Sequence, residues 1–130
     1  MPGSNIPDDL AVFLLDKIES VAQLEALLLL RATPNEDWTV EELARRLYID
    51  NHQAAVIVAA LCAEGLAVES RSVPPGYRYQ TASAETIALV DRLTAYYAKH
   101  IVPVTNLIHS KPKSRIQEFA DAFRLKKKEE

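Results

Sequence analysis

The stretch that decides the fold runs from Trp38 to Ala67. It reads Trp38-Thr39-Val40-Glu41-Glu42-Leu43-Ala44-Arg45-Arg46-Leu47, then a break at Ile49-Asp50-Asn51-His52. Val56-Ile57-Val58-Ala59-Ala60-Leu61-Cys62-Ala63-Glu64-Gly65-Leu66-Ala67 follows. Thr39 with Glu42 is a capping box, in which a hydroxyl and a carboxylate satisfy the first free N–H groups of a helix. The short helix it opens turns Val40, Leu43, Ala44 and Leu47 inward by three- and four-residue spacing. A polar interruption separates it from a longer helix whose apolar surface is expected from Ala55, Val56, Val58, Ala59 and Leu61, with Gly65 as a left-handed stop. Leu66 to Ser72 and Tyr77 to Gln80 then alternate, with Leu66 and Val68 expected inward and Tyr77 and Tyr79 sharing a face. Val73-Pro74-Pro75-Gly76 is the turn between them.

Upstream, Asn5 can cap a first helix, with Pro7 in its opening turn and Leu10, Phe13, Leu14 and Ile18 as its apolar stripe. Ser20 and Gln23 repeat a capping box before Val21 to Leu30, where Leu24, Leu27, Leu28 and Leu30 nearly encircle the helix and mark it as central to the core. Thr33-Pro34-Asn35-Glu36-Asp37 is a turn. Downstream, Ser83 to Thr86 opens the longest periodic stretch, with Ile87, Val90, Leu93, Tyr97, Ile101, Val104 and Ile108 on one stripe. Pro103 should kink or split it, because it removes the hydrogen bond to Lys99. Lys111-Pro112 breaks the pattern again. Ser114 with Gln117 can cap a last helix carrying Ile116, Phe119, Ala120 and Phe123, before a charged tail from Leu125 to Glu130. The predicted class is mainly α with a small β-hairpin. Residues 1–82 would be the head and 83–130 the long helix, a short terminal helix and a basic tail.

Together, the pattern from Trp38 to Ala67 resembles the winged helix-turn-helix superfamily, and bacterial transcriptional regulators in particular. It covers about a third of the chain, and reaches Gln80 if the wing is included. The resemblance implies that Val40 to Leu47 is the supporting helix. The recognition helix would begin near Asn51 and turn Asn51, His52, Gln53 and Ala54 toward base edges. Asn and Gln suit adenine edges, and His52 can donate to a base or a phosphate. Arg71 and Arg78, on the hairpin, would contact the DNA backbone or the minor groove. Lys111, Lys113 and Arg115 lie in the most basic stretch, where residues 111–128 hold seven Lys/Arg against two Asp/Glu, and could touch phosphates or an acidic partner. Arg45 and Arg46 contribute only if they face the groove. On this reading the chain is a cytoplasmic regulator that reads double-stranded DNA as a homodimer paired through residues 87–108.

Charge supports an alternative. The whole chain carries a formal net charge of -3, yet residues 1–80 hold twelve Asp/Glu against six Lys/Arg, and Asn51 to Glu64 contains no Lys or Arg. Phosphate contacts supply much of the affinity of DNA readers, so an adaptor that docks another protein through a winged helix stays open. The long helix has two readings as well: pairing with its twin, or folding back on Leu10 to Ile18 within one chain.

Other classes have little support. A single cysteine, Cys62, cannot form an internal disulfide and sits in an apolar run that suits core packing better than a reactive thiol. His52, His100 and His109 have no partner at metal-ligand spacing, and neither a Gly-rich phosphate loop nor a nucleophile motif is present. No enzyme, cofactor or metal is expected. Met1 to Leu10 does not read as a signal peptide, and Ala26 to Leu30 is too short to span a membrane.

Overall fold

The computed structural model describes residues 6–110. The elements come in the order α1 (Asp8–Lys17), α2 (Val21–Ala32), α3 (Val40–Leu47), α4 (Asn51–Ala63), β1 (Ala67–Glu69), β2 (Tyr77–Tyr79) and α5 (Ala84–Lys99). A further helical segment, α6, covers residues 101–110. This is a winged helix-turn-helix followed by long helices, as the sequence leads one to expect. Asn5, and the expectations for the last helix and basic tail from Lys111 onward, lie outside the described residues.

The starts of the helices follow from their caps. Pro7 itself occupies the N-cap of α1, one position before the first helical turn, and its carbonyl accepts from the Ala11 N–H at 2.9 Å. At α2, Ser20 Oγ accepts from the Gln23 N–H at 3.1 Å. The reciprocal bond goes one residue further back than a capping box requires: Gln23 Oε1 accepts from the Glu19 N–H at 2.8 Å, while Gln23 Nε2 donates to the Lys17 carbonyl at 3.1 Å. Gln23 is thus buried yet satisfied on both atoms, and it closes the α1–α2 corner. The box at α3 is complete in both directions between Thr39 and Glu42.

α2 is the central helix. Leu24, Ala26, Leu27 and Leu30 are fully buried, and the helix packs against α3, α4 and β2. Full burial of each leucine stabilises by about 1.5–3 kcal/mol relative to leaving it exposed. α1 packs instead against α5. One apolar cluster links Leu10, Phe13 and Leu14 through α2 to Leu43, Val58, Leu61, Val90 and Leu93.

α4 ends in a Schellman motif. Gly65 has φ +75°, the Gly65 N–H donates to Cys62 O at 3.0 Å, and the Leu66 N–H donates to Leu61 O at 2.9 Å. That geometry uses Leu66 to close the helix, so the strand begins at Ala67. The hairpin is antiparallel, with Ala67 opposite Tyr79, Val68 opposite Arg78 and Glu69 opposite Tyr77. Leu66 is buried as expected, and Ala67 with it, while Val68 faces outward with Arg78, which corrects the expectation for Val68.

The long periodic stretch is split, and the split falls before Pro103. α5 stops at Lys99, His100 has φ -136° and ψ 51°, and its carbonyl accepts from the Val104 N–H at 3.3 Å. Pro103 therefore lies in the first turn of the new helix, where its missing N–H costs nothing.

Candidate nucleic-acid interface

The polar interruption between α3 and α4 is a built turn. Tyr48 takes the left-handed conformation at φ 59° and is almost wholly exposed, and the Ile49 N–H returns to Ala44 O at 3.0 Å. Asp50 then caps α4, its Oδ1 accepting from the Gln53 N–H at 2.7 Å. Gln53 Oε1 accepts from the Asp50 N–H at 3.3 Å. The Asp-x-x-Gln pattern is a second capping box, legible in the sequence but read there only as a break. It ties down one end of the Gln53 amide and leaves Nε2 as the outward polar atom.

The structure places Asn51, His52 and Gln53 together on the exposed first turn of α4. Ala54 does not join them. It is 1% exposed and packs in the core, because α4 buries the Ala54, Ile57, Val58 and Leu61 side. Ala55, Val56 and Ala59, expected inside, face solvent instead. The helix is apolar nearly all round, so periodicity alone could not orient it. With His52 and Ala63, Val56 and Ala59 form one outward stripe at steps of four, three and four residues.

The wing is fastened to the loop before α3. Trp38 and Tyr77 exchange two backbone hydrogen bonds, each 2.8 Å, forming a single-residue bridge that widens the hairpin to a third strand. Trp38 Nε1 donates to Thr33 Oγ1 at 2.9 Å. Arg78 Nε donates to Asp37 Oδ1 at 2.9 Å, an ion pair with both side chains partly exposed. Gly76 is required beside it, since a Cβ there would sit 2.7 Å from the Asp37 Cβ. Of the two wing arginines, Arg78 is therefore held by a carboxylate and Arg71 is exposed, with no ion pair among the described residues.

The remaining cations of the head divide in the same way. Lys17 pairs with Asp16 and Glu64, and Arg31 with Asp91. Arg45 and Arg46 are exposed at the end of α3 and form no ion pair among the described residues. With Trp38, Tyr48 and the carboxylates Glu36, Asp37 and Glu42, they line an open cleft of about 530 Å³. Lys111, Lys113 and Arg115 lie outside the described residues.

The surface expected to pair two copies is largely used within the chain. Val90, Leu93, Tyr97, Val104 and Ile108 are buried, while Ile87, Ile101 and Val102 remain exposed. Arg92 forks onto both carboxylate oxygens of Asp9, joining α5 to α1, and its hydrogen bonds hold the Asp9 carboxyl below the usual range. Tyr97 Oη donates to Glu25 Oε2 at 3.2 Å; burial, then the nearby Glu25 charge, pushes its phenol up. Tyr96 stacks on His100 with ring centroids 4.2 Å apart. Cys62 is half-buried, and burial followed by the Glu69 charge raises its thiol, the opposite of a reactive thiolate. Among the described residues no three His, Cys, Asp or Glu side chains gather as a metal site, and no helix is long and apolar enough to cross a membrane.

No protein-family model and no curated protein sequence matches the chain. Solved structures do. A MarR family protein from Bacillus stearothermophilus is 18% identical over 94% of this chain and 82% of its own, with a TM-score of 0.52. A variant of MepR from S. aureus, bound to an oligodeoxyribonucleotide, is 14% identical over 95% and 91%, with a TM-score of 0.51. The PcaV transcriptional regulator from Streptomyces coelicolor, in complex with its natural ligand, is 20% identical over 94% and 88%, with a TM-score of 0.50. At these identities the likeness is one of fold, and it runs through the helices on both sides of the winged head.

Proposed function

We propose that the protein is a cytoplasmic transcriptional regulator that reads double-stranded DNA as a homodimer. The observation that carries this reading is the outward side of α4. It presents Asn51, His52 and the Gln53 amide from a firmly capped first turn, next to a helix-turn-helix corner whose Arg45 and Arg46 have no ion pair among the described residues. A helix so placed can enter a major groove while the supporting helix crosses the backbone. Arg45, Arg46 and Arg71 are the phosphate contacts we assign in the described head, with Lys111, Lys113 and Arg115 as further candidates. Arg78 supports the wing through Asp37 and contributes less directly. A protein of this fold, the MepR variant, has been captured with an oligodeoxyribonucleotide, which supports the same use here. Residues 1–82 serve as the reading head and 83–130 as the assembly region, where, among the described residues, exposed Ile87, Ile101 and Val102 are large apolar side chains left for a second copy.

The test is the salt dependence of duplex binding. Removing one phosphate-binding side chain should reduce the slope of log affinity against log salt by about one. Arg45→Ala, Arg46→Ala and Arg71→Ala should each do so, whereas Arg78→Ala should change the slope less. Slopes unchanged in all three would remove these arginines from the interface.

A second reading rests on a specific observation. Three of the six cations in residues 1–80 are held in ion pairs, against twelve carboxylates in the same span. A head this acidic suits a protein-docking adaptor, and the absence of duplex binding even at low salt would favour it.

A further inference from the structure

The outward side of α4 is apolar beyond its first turn. His52, Val56, Ala59 and Ala63 follow one another on the side opposite Ala54, Ile57, Val58 and Leu61, and Val56 is 55% exposed. It is the one exposed apolar side chain larger than alanine on this helix, and the core is complete without it. Alanines at 55, 59 and 63 keep the surface around it low, so the valine methyls stand clear beyond the first turn. Beside it lies Gln53, three residues earlier. The two line one shallow cavity with Ser20, Ala22, His52 and Ile57.

The Gln53 amide has a defined orientation. Its Oε1 accepts from the Asp50 N–H, because a backbone N–H requires an acceptor, so Nε2 is what it presents outward. A glutamine reads adenine with both amide atoms, donating to N7 and accepting from N6. With Oε1 turned to the Asp50 N–H, the atom that Gln53 presents is the donor Nε2. Thymine is the base whose major-groove edge offers an acceptor, O4, next to an apolar group, the 5-methyl. A donor and a branched apolar side chain one turn apart match that edge.

We propose that Val56, assisted by Gln53, determines sequence by packing on the 5-methyl group of a thymine in each half-site. This rests on the DNA-reading function above and adds the base and the group that are read. The pairing accounts for a recognition helix without cations. Its share of the interface is apolar contact and one directed donor, while the arginines of α3 and the wing take the phosphates.

The experiment uses the full chain and the duplex it enriches most strongly from fragments of its own genome. Each thymine is replaced in turn by deoxyuridine, which lacks only the methyl group. The expected result is one thymine per half-site whose replacement weakens binding about fourfold, the factor that one buried methyl-sized group corresponds to. Val56→Ala should bind more weakly and lose that sensitivity at the same position. The variant should fold, since the side chain is exposed and alanine favours helix. Sequence-specific binding indifferent to every thymine methyl would overturn the proposal while leaving the DNA-reading function intact. Equal sensitivity in wild type and Val56→Ala would overturn the assignment to Val56. Failure to enrich any sequence would remove both.

Discussion

At the scale of single residues, the arginines show why position outweighs charge. Arg71 and Arg78 stand on the same hairpin and read alike in sequence, yet among the described residues only Arg78 has a carboxylate, 41 positions away in the chain, to hold it. No local pattern announces a contact of that span. Arg78→Ala should cost about 0.2–1 kcal/mol in stability, the range of partly exposed ion pairs, measured by urea unfolding. Arg71→Ala should leave unfolding unchanged and act on binding instead. Equal unfolding losses in the two variants would contradict this division. Gly76 carries a sharper prediction. Its missing Cβ leaves room for Asp37, and Gly76→Ala should destabilise by about 1–3 kcal/mol through overpacking; an unfolding midpoint equal to wild type would mean that the loop yields freely. Asp9 is lowered mainly by its hydrogen bonds to Arg92. A carboxylate depressed in the folded state adds stability that is present above its unfolded value, near 3.8, and is lost as pH falls through the folded value. Asp9→Asn should therefore flatten the fall in stability below about pH 4, a small effect at so exposed a site. An unchanged acid limb would contradict it.

At the scale of elements, the helix starts were the most legible feature, since Ser20, Thr39 and Ser83 each accept from the N–H three residues on. The cap at Asp50 obeys the same rule with a carboxylate in place of a hydroxyl. Asp50→Ala should cost about 0.5–2 kcal/mol but keeps the backbone N–H that holds the Gln53 amide, so reduced stability with an unchanged base preference is expected. An unfolding midpoint equal to wild type would mean that the carboxylate contributes nothing to the cap. The hairpin and the Gly65 stop were legible because turn residues and a left-handed position constrain the backbone locally. The face of α4 was not. Its apolar residues occupy every side, and only packing against α2 and α3 decides that Ile57 goes in and Val56 stays out. The Trp38–Tyr77 bridge was invisible for another reason: a one-residue strand has no period. The break at His100 lies three residues before the proline that causes it, since a helix restarts so that Pro103 falls where no N–H is needed.

At the scale of the whole molecule, the winged head and the later helices share one core, so the proposed recognition and assembly regions would be mechanically joined. The Arg92–Asp9 and Tyr97–Glu25 contacts bind α5 to α1 and α2. Within one chain this uses up most of the stripe that the sequence offered for pairing. Ile101→Asp, at a side chain 53% exposed, should leave the fold intact and shift the protein toward monomer in sedimentation. A dimer unaffected by that charge would place the pairing surface elsewhere. The central claim, a sequence-specific reader of duplex DNA, is tested most directly by enrichment. The purified chain is incubated with a mixed pool of its genomic fragments at low and at near-physiological salt. A short, roughly palindromic sequence that remains bound at the higher salt is the predicted result. Unselective binding that disappears with salt, or none at either concentration, would contradict it.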